Sequence, residues 1–176
     1  RYPHCSKTLP RTPWDLAIHD GQLYLGLGNS SNHGLTANAG PVPLFAYDIA
    51  TDHWKQAATL LEEEISRFSN RGSELWIAGA DARGSWRWGN LYRSSSADGQ
   101  WWQERRLPQF IHVHDLAWHR GELVVVGNVP DAVTTGPKQQ RHGSALGRSS
   151  DGGHHWLVHR LSGWRAAALL PVDDQL

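Results

Sequence analysis

Along this chain, short apolar stretches alternate with polar positions at a period of two, and they come in pairs joined by tight turns. Asp15-Leu16-Ala17-Ile18-His19-Asp20-Gly21-Gln22-Leu23-Tyr24-Leu25-Gly26 reads as strand, two-residue turn, strand, with Asp20-Gly21 as the hairpin signal. The same text returns from Asp115 to Gly127, and a weaker copy runs from Arg67 to Gly79. No helical periodicity intervenes beyond a short stretch at Leu60 to Glu64. The pattern predicts an all-β chain.

A second kind of hairpin follows each of these. Arg148-Ser149-Ser150-Asp151-Gly152-Gly153-His154-His155-Trp156 fits Ser-x-Asp-x-Gly-x-x-Trp throughout. Ser149 and Asp151 side chains are suited to accept or share backbone hydrogen bonds across a turn, Gly153 supplies a φ that other residues resist, and Trp156 is a large anchor for a layer between sheets. Leu91 to Trp102 repeats the arginine, serines, acid, glycine and tryptophan with a spacing shifted by one residue. Leu44 to Trp54 replaces that order with Tyr47-Asp48 and Thr51 ahead of Trp54. The first pattern resembles the Asp-box, or BNR repeat, of β-propellers such as sialidases and sortilin-like receptors. The last is more similar to the hairpin of kelch-type propellers. The resemblance implies that these hairpins join the third and fourth strands of a blade.

Leu23, Leu75 and Leu123 recur at intervals of about 50 residues, as do Trp54, Trp102 and Trp156, and two hairpins per period give four strands, the size of a blade. The expected fold is therefore a β-propeller of four-stranded antiparallel blades, with about three blades at 14–62, 66–110 and 114–162. Trp54, Trp102 and Trp156 are expected at equivalent buried positions. Residues 166–176 align on the opening of a further blade, and 1–13 reads as the last strand of a preceding one. Three blades fall short of the number that closes a ring, so the expectation is an incomplete ring, a fragment of a longer chain, completed by remaining blades of that chain or by copies of itself.

Composition narrows the class. Among 176 residues, 17 basic side chains balance 17 acidic ones, which removes the general electrostatic argument for nucleic acid as a partner. No apolar run approaches the roughly 20 residues that span a bilayer. Cys5 is the single cysteine and cannot form an internal disulfide. There is no methionine, even at position 1, which implies processing or a longer parent, and with it an expected removed signal peptide and an extracellular or periplasmic location.

Function is expected on the face where strand 2 to strand 3 loops emerge, because those loops vary in length on a regular scaffold. They carry Asn32, His33 and Asn38 in the first repeat, Arg83, Trp86, Trp88 and Asn90 in the second, and His142 in the third. Amides and tryptophans in glycine-bounded loops suit a polar ring such as a sugar. In keeping with the structural use of the other tryptophans, Trp86 and Trp88 also read as an apolar lid. His112 is a further candidate to meet the ligand, and with His114 it alternates onto one strand face, a spacing that metal ligands also use. Asp115, however, copies Asp15, which favours a scaffold role for that segment. Glu62-Glu63-Glu64 enters an inner strand, where a general acid could sit, but reads first as a solvated charge run. No metal or other cofactor is expected.

Sialidases bind an acidic sugar through three arginines and use a tyrosine nucleophile supported by glutamate. Only Arg67 and Arg83 occupy suitable positions here, with no tyrosine at an inner-strand start. The resemblance carries a fold and no catalytic residue. The preferred reading is a non-catalytic binding or assembly module for glycan or protein. The alternative is a glycoside-acting hydrolase or lyase whose catalytic residues lie partly outside this segment.

Overall fold

The computed structural model describes residues 12–28, 41–80, 88–95, 99–130, 142–161 and 165–171. Its first sheet comprises β1 (Thr12–His19), β2 (Gln22–Gly28), β3 (Val42–Asp48) and β4 (His53–Leu60). The second comprises β5 (Ile65–Arg71), β6 (Glu74–Gly79), β7 (Trp88–Ser95) and β8 (Trp101–Pro108). The third comprises β9 (His112–His119), β10 (Glu122–Pro130), β11 (His142–Ser149) and β12 (Leu157–Leu161). Each sheet is an antiparallel meander in chain order. No helix among the described residues is long and apolar enough to cross a membrane.

Local chemistry sets the registers. Asp20 and Gly21 have φ of 49° and 71°, and Arg120 and Gly121 have 48° and 81°, the left-handed pair that a two-residue hairpin needs. These turns bring His19 opposite Gln22 and His119 opposite Glu122. In the second sheet Arg71 faces Glu74 in the same way.

The cores lie between sheets. Ala17, Tyr24 and Leu44 of the first sheet meet Ile65, Phe68, Leu75, Ile77 and Tyr92 of the second. From the opposite side of β6, Trp76 and Ala78 join Leu91 and Leu107 against Val113, Leu123, Val125 and Ala145 of the third. Because successive side chains of a strand point to opposite faces, a middle sheet buried on both sides reads as a continuous apolar run, as Leu75 to Ala78 does. The outer strands β4 and β12 are mostly exposed and correspondingly polar. Full burial of each large apolar side chain contributes about 1.5–3 kcal/mol.

Inner strands β1, β5 and β9 are neighbours in that order. The Asp15 carboxylate accepts from Phe68 N–H of the next sheet at 2.8 Å. Asp115 repeats this with Leu169 N–H at 2.9 Å, so residues 165–171 lie beside the third sheet as β5 lies beside the first. Meander sheets packed face to face around their first strands are propeller blades. The fold is all-β, a β-propeller of four-stranded antiparallel blades, with three blades among the described residues.

The tryptophan alignment needs a correction. Register places Trp54 opposite Tyr47 and Trp101 opposite Ser94, while Trp156 directly precedes Leu157, the partner of Arg148. The equivalent set is therefore Trp54, Trp101 and Trp156. Trp101 packs edge-on against Tyr24, with ring centroids 5.9 Å apart. Trp102 is 37% exposed and lies against the Arg93 guanidinium, 5.3 Å from the ring centroid. A shift of one residue along a strand exchanges the faces, so the wrong member of a Trp-Trp pair is assigned to the core.

The hairpin at Ser149 is tied by its polar side chains. Ser149 Oγ donates to Asp151 Oδ1 at 2.8 Å and accepts from Gly153 N–H at 2.8 Å. Asp151 Oδ1 also accepts from His154 and His155 N–H at 3.1 and 2.9 Å, and Trp156 Nε1 donates to the Gly153 carbonyl at 2.9 Å. The His155 backbone N–H, then its imidazole and Ser149, hold the Asp151 carboxyl well below the usual carboxylate range. A folded-state value below the unfolded one means stabilisation that is complete above the ordinary carboxylate pKa of about 3.9 and is lost as pH falls below it. The melting-temperature gap between the native chain and Asp151→Asn should accordingly be widest near neutrality and close in acid. A gap independent of pH would remove the ionised carboxylate from the account of this turn.

Candidate functional site

At the end of the blades opposite the Ser149 hairpin, the ends of β2 and β6 approach the β4–β5 link. Gly28 bridges Glu64, and a Cβ on Gly28, at φ 142°, would collide with the Glu63 and Glu64 backbone. Only glycine lets the β4–β5 link approach so closely. Gly79 has a related use: a Cβ there would lie 2.9 Å from the Glu62 carboxyl carbon. The two glycines make room for an acidic link inside the protein.

That link corrects the expectation of a solvated charge run. Glu62, Glu63 and Glu64 are all buried, Glu62 completely. Glu62 Oε1 accepts from Asn90 Nδ2 and, at 2.9 Å, from the Tyr92 hydroxyl. Asn90 Oδ1 in turn accepts from Gln103 Nε2 at 3.0 Å. Glutamate, asparagine, tyrosine and glutamine thus form a connected bridge from the β4–β5 link through β7 to β8. Burial, followed by the nearby Glu62 charge, raises the Tyr92 phenol far above its ordinary value. Tyr92 is a fixed hydrogen-bond donor, and this environment opposes formation of a phenolate.

The residues expected to meet a ligand are divided among different environments. Asn90 is 2% exposed with its amide engaged, so it braces the face instead of offering an amide outward. Trp88, at the start of β7, is 44% exposed beside this bridge. His112 is half-buried at the start of β9, its Nδ1 donating to the Ala80 carbonyl at 2.9 Å and its ring stacked on His114 with centroids 6.1 Å apart. Among the described residues no group of three His, Cys, Asp or Glu side chains is placed to hold a metal ion. Arg67 pairs with Asp115 at 3.4 Å, which directs it to the neighbouring blade. Asn32, His33, Asn38, Arg83 and Trp86 lie outside the described residues, as does the side chain of His142.

Glu62, Tyr92 and Gln103 escaped sequence reasoning as a group because they come from three separate strands or links. A signal was present in part: Asn90 and Tyr92 are polar positions two apart on a third strand, with apolar Leu91 between them on the other face, which places them together on one side.

Fold and face together define a β-propeller protein whose loop-bearing end is braced by a buried polar bridge. No family model matches the chain, and no curated protein matches it. Among solved structures it is similar to the β-propeller domain of the Trilobed protease from Pyrococcus furiosus, whose topology is described as an open velcro. Identity is 14% and the TM-score 0.34, over 91% of this chain and 59% of that one. The present chain thus spans less than two thirds of that chain's length.

Proposed function

We propose that this propeller is a non-catalytic binding or assembly module that recognises a glycan or protein through its strand 2 to strand 3 loop face, in an extracellular or periplasmic setting. The observation that carries the reading is the bridge beneath that face. Glu62 and Tyr92 are the described residues whose types most suggest glycoside chemistry, yet they are buried against each other with the phenol held protonated. They serve as a rigid base for loops, and rigid elements beneath variable loops suit recognition. Exposed Trp88 supplies an aromatic surface at the rim.

Assembly belongs to the same proposal. On β1, Trp14, Leu16 and Ile18 are exposed, while Ala17 and His19 on the other side are buried toward the second blade. An outward row of large apolar residues on an inner strand fits the core side of another blade, from the same chain or from a copy of it.

A glycan array probed with the native chain, Trp86→Ala and Trp88→Ala tests the recognition reading. A bound glycan should lose stacking worth about 0.5–1.5 kcal/mol, roughly a two- to tenfold weakening, with the melting temperature nearly unchanged. Turnover of a fluorogenic glycoside that disappears in Glu62→Gln would instead establish the hydrolase reading. If both tryptophan variants melt early and no glycan responds, Trp86 and Trp88 belong to the fold and the proposed glycan surface fails.

A further inference from the structure

The three inner strands provide an internal comparison of how each blade meets the one before it. Pairing within the sheets sets Leu16, Phe68 and Leu116 opposite Leu25, Ile77 and Val125, so these three are equivalent, as are Ile18, Asn70 and Trp118. In the second and third blades both positions are met by the preceding blade. The Phe68 ring lies 6.5 Å from the Tyr24 ring of the first blade, centroid to centroid, and Asn70 Oδ1 lies 2.9 Å from His19 Nδ1. Leu116 joins the core that contains Trp76 of the second blade, and Trp118 meets the Trp76 ring edge-on with the Arg71 guanidinium 3.5 Å from its own centroid. In the first blade Leu16 and Ile18 stay 58% and 65% exposed, against 8% for Phe68 and 3% for Leu116.

A charge one residue earlier tells what kind of surface belongs there. Asp15 and Asp115 are bound alike by the backbone. In each, Oδ1 accepts from the following residue, Leu16 N–H at 3.0 Å and Leu116 N–H at 2.8 Å, and Oδ2 accepts from the segment beyond, Phe68 or Leu169 N–H. Asp115 has a third partner. Arg67, which holds the same position in the preceding blade, brings its Nε within 3.4 Å of Asp115 Oδ1. Among the described residues no cation meets Asp15.

The same position in the third blade is Asp115 itself. A second copy docking its third blade onto this face would set carboxylate against carboxylate, and Leu169 already holds that side of the third blade. Like charges brought together at a contact select against a partner as surely as opposite charges select for one. We infer that the exposed face of β1 seats a propeller blade whose inner strand carries arginine or lysine at the level of Asp15, as the second blade carries Arg67, and that it rejects a copy of this chain's third blade. The apolar row supplies attraction and the ion pair supplies the choice. This rests on the assembly part of the function proposed above and is independent of glycan recognition.

The test inserts a second copy of residues 65–111 between Arg11 and Thr12 of the full chain, so that an arginine-bearing blade precedes β1 as the second blade precedes β9. Hydroxyl-radical labelling, read residue by residue by mass spectrometry, follows Leu16 and Ile18. Labelling of Leu16 should fall to the level of Leu116 in the same chain, and that of Ile18 should fall with it. Arg67→Asp in the inserted copy alone reproduces the acid of the third blade and should return both residues to the labelling of the chain without an insert. The Arg67 side chain is 45% exposed, so this change leaves the inserted sheet folded, with strand content by circular dichroism equal to that of the arginine insert. Equal protection by both inserts would leave the assembly reading standing and overturn the basic partner. Protection by neither would overturn both.

Discussion

Glu62→Ala is expected to destabilise the chain by about 2–5 kcal/mol, since it strands two buried donors and opens a void beside Gly79. The Tyr92 hydroxyl and Asn90 amide both donate to Glu62 Oε1, and each loses its acceptor in a place water cannot readily reach. Removing a buried carboxylate also relieves its desolvation, which works in the opposite direction. Glutamine separates the two effects. Glu62→Gln keeps an oxygen that can accept from both donors while removing the charge, so it should cost no more than about 1 kcal/mol. Urea unfolding of both variants decides the matter: equal losses would show that the charge, and not the acceptor, is what this link requires.

Phe110→Ala should be as damaging, at about 3–5 kcal/mol. Phe110 is fully buried on the β8–β9 link and belongs to the core between the second and third blades. It is wedged against two glycines: a Cβ on Gly89 would lie 2.9 Å from Phe110 Cβ, and one on Gly127 would lie 3.0 Å from its ring. Truncating the ring leaves a cavity that these strands cannot close, because their backbones are already paired in sheets. Chemical denaturation should register the loss, with exposed Leu161→Ala as a control within about 0.5 kcal/mol of the native chain. A Phe110→Ala cost no larger than that control would mean that the two blades are not held together at this wedge.

Much of this architecture is legible in the chain because its signals are local. Asp20-Gly21 encodes a turn by the backbone angles it tolerates, and period-two alternation encodes a face. The Ser-x-Asp-x-Gly-x-x-Trp text specifies the bonds of one hairpin among neighbouring residues. What misled was a question of one residue. The Trp101-Trp102 pair offers two equally large anchors, and only the pairing of Ser94 with Trp101 decides which faces Tyr24.

The same distinction separates strand pattern from site. By itself, the sequence determined the strands, their pairing into hairpins and the recurrence of four-stranded blades, since these follow from backbone preference and contacts between consecutive strands. Whether three adjacent glutamates meet water or the interior depended on Gly28, Gly79, Asn90 and Tyr92 arriving from other strands. Which of the three equivalent positions carries an arginine opposite the second strand is likewise seen only in the register, with Arg93 and Arg148 in two blades and Ala46 in the other. Burial belongs to surfaces that meet only after the blades pack, so the tertiary structure alone decided it.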